Sequence, residues 1–112
     1  MRLAMTLSAM VLVSAAGEAW ASGTGPRQIR SIGCHLVDNT CFVEISGGIV
    51  GPTGCQSTSL RWNQKEDANG QSILALLTAA FQSGKTVSFE IRDTACYVYQ
   101  PVFPTFAYIF VH

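Results

Sequence analysis

Apolar and polar positions alternate most cleanly over residues 86–92, where Val87, Phe89 and Ile91 share one face and Ser88, Glu90 and Arg92 the other. The same period of two runs through residues 41–46. Cys41, Val43 and Ile45 lie on one side there, Phe42 and Glu44 on the opposite one. Residues 55–63 predict another strand with Leu60 and Trp62 on a common face, and residues 28–37 a weaker one interrupted by Gly33. The period then lengthens. Ile73, Leu76, Leu77, Ala80 and Phe81 recur at helical spacing and Leu74 widens the stripe, which predicts a helix from Asn69 or Gly70 to Ser83. Asn69 is the expected N-cap and Gly84 the expected stop. A last strand over residues 105–112 sets Phe106, Tyr108 and Phe110 on one face and Ala107, Ile109 and Val111 on the other.

Between these elements the turn chemistry is plain. Asp38-Asn39 favours a turn, because both side chains bond nearby backbone and Asn tolerates the left-handed region. Gly47-Gly48 and Gly51-Pro52-Thr53-Gly54 bracket a loop around Ile49-Val50, and Lys65-Glu66-Asp67 reads as a solvated loop. Residues 93–104 are expected to be a loop carrying Cys96, Tyr97 and Tyr99, and residues 22–26 a mobile lead. The fold expected is mainly β with one helix, in the order β-β-β-α-β-β. That order suits a small, disulfide-stapled, five-stranded Greek-key barrel of the OB type.

The first residues carry a different signal. Arg2 gives a positive start, residues 3–16 an uncharged apolar run, and Ala19-Trp20-Ala21 the small-x-small pattern of a signal peptidase site. Residues 1–21 are expected to be a signal peptide, with residues 22–112 as one OB-like domain. The apolar run is shorter than the ~20 residues that span a bilayer, so no membrane anchor is expected after cleavage. The destination is the periplasm or the outside. The chain carries 7 basic and 7 acidic residues, and the signal removes one of each, Arg2 and Glu18. A neutral domain is a poor partner for nucleic acid, which demands a basic face.

Outside the cytoplasm the four cysteines are expected to pair. Cys34, Cys41, Cys55 and Cys96 allow three pairings, and spacing alone chooses none. Cys41–Cys55, expected neighbours across consecutive strands, is favoured, which leaves Cys34–Cys96. A metal site is the alternative, with His35 beside Cys34, but no two cysteines stand two to four residues apart as in structural zinc sites. Neither a metal nor another cofactor is expected.

Catalysis finds little support. Ser83-Gly84-Lys85-Thr86 looks like the end of a phosphate-binding loop, yet Ala79 stands where glycine is required and the order is helix to strand. No Gly-x-Ser-x-Gly elbow occurs. Glu44 and Glu90 lie on expected strands, placed to meet across a sheet, although solvent-facing strand positions explain both. The chain is therefore read as a non-enzyme. Trp62, Tyr97 and Tyr99, with Arg61, Asn63 and Gln100 near them, offer aromatic faces with polar neighbours of the kind sugar rings use, with a core role for Trp62 as the plainer account.

Two surfaces look unsuited to a monomer. No charged residue occurs between Ala68 and Gly84, and the face opposite the apolar stripe is Gln71, Ala75, Thr78 and Gln82. The last strand is apolar on both faces. A homo-oligomer packed through the helix covers the first; the second needs a helix, a loop or a sister chain.

These features together resemble the B subunits of subtilase-cytotoxin-like and pertussis-like toxins. The matching residues are Cys41-Phe42-Val43-Glu44, Cys55, Trp62, the neutral helix Ile73-Leu74-Ala75-Leu76-Leu77-Thr78-Ala79-Ala80, and Ser83-Gly84-Lys85 leading into Val87-Ser88-Phe89-Glu90. The resemblance covers residues 29–91. It implies a secreted, glycan-binding homopentamer of OB-fold subunits, with helices lining the central pore and an A-type subunit as partner. It also implies a serine-type sugar contact at Thr24 or Ser31 and an acidic one near Glu44. The other function the sequence allows is an exported small barrel with a protein-binding or structural role and no glycan recognition.

Overall fold

The structure is a computed structural model and describes residues 21–112. The expected signal peptide lies outside the described residues except for Ala21. Six strands and one helix follow in order: β1 (Ala21–Gly23), β2 (Ile29–Cys34), β3 (Thr40–Ile45), β4 (Ser59–Asn63), α1 (Gly70–Ser83), β5 (Val87–Cys96) and β6 (Pro104–Val111). They form two three-stranded antiparallel sheets, β1-β5-β6 and β2-β3-β4. The mainly-β, one-helix expectation holds. The strand count differs, because residues 21–23 are not a mobile lead: they add to the edge of β5, Ala21 opposite Arg92 and Gly23 opposite Glu90.

Alternation built the core as the sequence implied. Cys41, Val43 and Ile45 of β3, Leu60 and Trp62 of β4, and Val87, Phe89 and Ile91 of β5 are all buried between the sheets. Phe106 completes the centre, edge-on to Trp62 at 5.7 Å and to Phe89 at 5.4 Å. At one seam, Arg27 and Val87 exchange both backbone hydrogen bonds, tying the approach to β2 onto β5. At the other, β4 lies beside β6 without joining its ladder.

The helix closes the core from one side, and its stops are as expected. Gly84 adopts the left-handed conformation at φ 71° and donates its amide to Phe81. Asn69 occupies the N-cap position, but in the left-handed region and without a side-chain cap bond. The buried line is Leu77 and Ala80, with Ile73 and Leu74 partly covered. Leu76 and Phe81, expected in the apolar stripe, face outward instead. Gln71, Ala75 and Gln82 are exposed with them, and Thr78 is half-buried. The outer face of α1 is thus uncharged and more apolar than its sequence suggested.

Two expectations fail for a shared reason: bulges displace the simple register. Tyr108 pairs with Glu90 and Phe106 with Ile91, so Ala107 is an extra residue in β6. Phe106 consequently turns inward while Tyr108 and Phe110 face out, and the expected aromatic row is split. On β5 the pairing jumps from Ile91 to Cys96, so residues 92–95 bow away from β6. The strand thereby continues through residues assigned to a loop.

The disulfides are Cys34–Cys41 and Cys55–Cys96, not the favoured pairs. Cys34 lies directly opposite Cys41 in the β2-β3 register, with Cα atoms 3.9 Å apart. Cys55 is not on the third expected strand, because β4 begins only at Ser59. It sits in the preceding turn and reaches the end of β5. Two such bonds belong to a non-reducing compartment. No described helix is long and apolar enough to cross a membrane.

Candidate functional site

The bow in β5 opens a cleft of about 580 Å³ against the start of α1 and the first half of β6. Its apolar floor is Trp62, Ile73 and Phe106, and its mouth carries Tyr99, Tyr108, Arg92 and Asp67. Of the aromatic residues singled out in the sequence, all three line this cleft, but in unequal roles. Trp62 is buried and donates its indole N–H to the Gly70 carbonyl at 2.9 Å. Tyr97 is buried too, its hydroxyl 2.8 Å from Thr40 Oγ1 and 3.4 Å from Asn63 Nδ2. Both are construction. Tyr99 is exposed, with its ring 5.7 Å from that of Tyr97 and tilted by 65°.

The polar neighbours expected beside these rings are consumed by the fold. Arg61 lies 3.6 Å over the Phe103 ring, 5.0 Å from that of Phe42, and donates to Gln100 at 2.6 Å. Burial pulls its guanidinium below the ordinary arginine value, partly offset by the charge of Glu44. Asn63 is a buried hub: its amide donates to the Asp38 carbonyl, and its oxygen accepts from the amides of Lys65 and Glu66. Asp67, at the cleft mouth, accepts the Asn63 backbone N–H at 2.8 Å. Arg92 is different. It is exposed, and among the described residues it has neither an ion pair nor a side-chain hydrogen bond.

The remaining candidates lie elsewhere. Ser31 and Glu44 face each other in the β2-β3 register, and Glu44 accepts from Thr58 Oγ1 at 3.2 Å. Glu90 belongs to the other sheet, opposite Tyr108, its carboxylate lying over Gly23. The two glutamates therefore do not meet across one sheet. Thr24 donates its hydroxyl to Gly25 and accepts the Phe89 amide, a structural task. The histidines are engaged as well: His112 Nε2 is 2.7 Å from Ser88 Oγ, and His35 Nδ1 is 3.0 Å from Asp38 Oδ1. The Thr40 amide bonded to its carboxylate, with further help from His35, holds Asp38 below the usual carboxylate value.

Sequence reasoning missed Arg92, Asp67 and Tyr108. Arg92 was legible only as the polar end of a strand, and the bulge at Ala107 that aims Tyr108 outward leaves no mark in the residue pattern. The cleft offers two exposed aromatic rings, a cation without a partner among the described residues, and an apolar floor. Among the described residues that line it, no hydroxyl is hydrogen-bonded to a base. Compared with family models, with curated proteins and with solved structures, the chain matches none.

Proposed function

We propose that this chain is a secreted, non-catalytic binding subunit that takes a sugar in the cleft beside α1 and assembles with copies of itself through the outer face of that helix. The observation that carries the sugar reading is the lining of the cleft, which brings together the exposed rings of Tyr99 and Tyr108 and the Arg92 guanidinium, which has no partner among the described residues. Ring faces receive the C–H side of a pyranose, and Arg92 donates to its hydroxyl or acidic edge. Among the described residues that line the cleft no hydroxyl is hydrogen-bonded to a base, and the reading adopted is binding without catalysis.

The barrel reading belongs with this proposal. A three-strand meander, a helix and a two-strand hairpin follow the OB order, with the Arg27–Val87 bridge at one seam and β4 beside β6 at the other. Assembly is supported by α1, whose water-facing side presents Ala75, Leu76 and Ala79 without a single charge. The resemblance to toxin B subunits makes a pentamer the expected assembly, and an A-type subunit the expected companion.

A glycan array probed with the purified protein tests the sugar reading. Retention on a defined set of glycans is expected, with Tyr99→Ala and Arg92→Ala each lowering affinity about tenfold, near the top of the range for one aromatic contact and the bottom of that for one charge-assisted hydrogen bond. Both side chains are exposed, so the melting temperature should not move. A correctly folded protein that retains no glycan overturns the sugar reading.

A further inference from the structure

We propose that the end of the molecule formed by the β2-β3 hairpin tip and the 97–103 loop is a lipid-contacting surface that docks on a zwitterionic bilayer. The proposal does not rest on sugar binding, although Val98 and Tyr99 also line the cleft. It starts from two turns with the wrong composition for water. Leu36 and Val37 at the hairpin tip are 101% and 89% exposed, and Val98 and Val102 of the second loop 74% and 64%. Loop tips are ordinarily polar, because polar groups there cost nothing to hydrate.

The two tips project from one root. The Tyr97 hydroxyl, at the start of the second loop, meets Thr40 at the base of the hairpin, and Asn63 holds both Tyr97 and the Asp38 carbonyl. Both tips are therefore anchored at one end of the molecule, around Tyr97, Thr40 and Asn63. The root is stiff: Cys34–Cys41 clamps the hairpin, His35 donates its amide to the Thr40 carbonyl, and Arg61 holds Gln100. Insertion of these tips needs little further ordering.

Shape and charge select the occupant. A side chain as exposed as Leu36 rests on no neighbour, so it is a knob and not the floor of a groove. A protein partner must supply a matching pit for every such knob, whereas the acyl boundary of a bilayer receives them without complementarity. No charged residue occurs from Tyr97 to Phe103. The hairpin turn contains one anion, Asp38, already paired with His35. A surface with no excess cation has no attraction to anionic lipid, which leaves a neutral headgroup. Tyr99, exposed in the same loop as Val98 and Val102, supplies an aromatic ring of the kind that settles at the headgroup level.

Flotation with phosphatidylcholine vesicles free of glycolipid tests this, with L36D/V37D and V98D/V102D as variants. The purified protein is expected to float with the vesicles, and either pair to lower the bound fraction at least about tenfold, since each buried aliphatic is replaced by a charge. Melting temperatures should stay within a degree or two, because Leu36 and Val37 are almost fully exposed and Val98 and Val102 mostly so. Failure of the unmodified protein to float, or flotation unchanged in both variants, overturns the proposal. So does a fall in sedimenting mass in either variant, which makes the tips a contact between copies. The vesicles contain no sugar, so failure here leaves the glycan array result standing.

Discussion

Serine at both Cys55 and Cys96 is expected to lower the unfolding free energy by about 4 kcal/mol, against about 2 kcal/mol for serine at both Cys34 and Cys41. The difference follows from loop length. Cys55 and Cys96 are 41 residues apart in sequence and restrict a large part of the unfolded chain, whereas Cys34 and Cys41 are separated by only 7. The shorter bridge also spans a hairpin that its own ladder already holds in register. Native proteins hold a reserve of only about 5–15 kcal/mol, so the first loss is a large fraction of the whole. Urea unfolding of the two double variants measures both terms. Equal costs, or a greater cost for the hairpin bridge, contradict the pairing described here.

Alanine at Gly70 is expected to destabilise by about 3 kcal/mol, at the upper end for overpacking a buried site. Helix propensity alone argues the opposite, since alanine is favoured over glycine inside a helix by about 1 kcal/mol. Position decides against propensity. Gly70 is buried at the first turn of α1, where a Cβ would run into the Asn63 carbonyl oxygen and lie 2.7 Å from Gln64 Cα. Those are backbone atoms, which cannot swing aside as a side-chain tip does. Relief requires moving the helix start, and the Gly70 carbonyl that receives the Trp62 indole N–H moves with it. Thermal or urea unfolding beside Gln71→Ala, an exposed control, gives the comparison. A stabilised Gly70→Ala protein contradicts the packing at this turn.

What could be read from the residues was whatever depended on local period. β3, β5 and the body of α1 follow from spacing, and Gly84 ends the helix where an αL residue is needed. Features set by distant partners were not legible. β1 has no apolar alternation and becomes a strand only because β5 offers it an edge. The disulfide pairing turned on where β4 starts, and an apolar-polar pattern over residues 55–63 does not reveal that the ladder begins at Ser59. Bulges are quieter still. One extra residue at Ala107 reversed the facing of Tyr108 and Phe110, and the bow at residues 92–95 created the cleft. Trp62, Tyr97 and Tyr99 were therefore visible as candidates, while Tyr108 and Arg92 were not.

The proposed self-assembly rests on the uncharged outer side of α1. Sedimentation of the purified protein at micromolar concentration tests that claim most directly. The account predicts a discrete assembly of several chains, about five by the toxin-like architecture, and its collapse to single chains when Leu76→Glu places a charge on the outer face of α1. A protein that sediments as one chain of the unmodified sequence contradicts it.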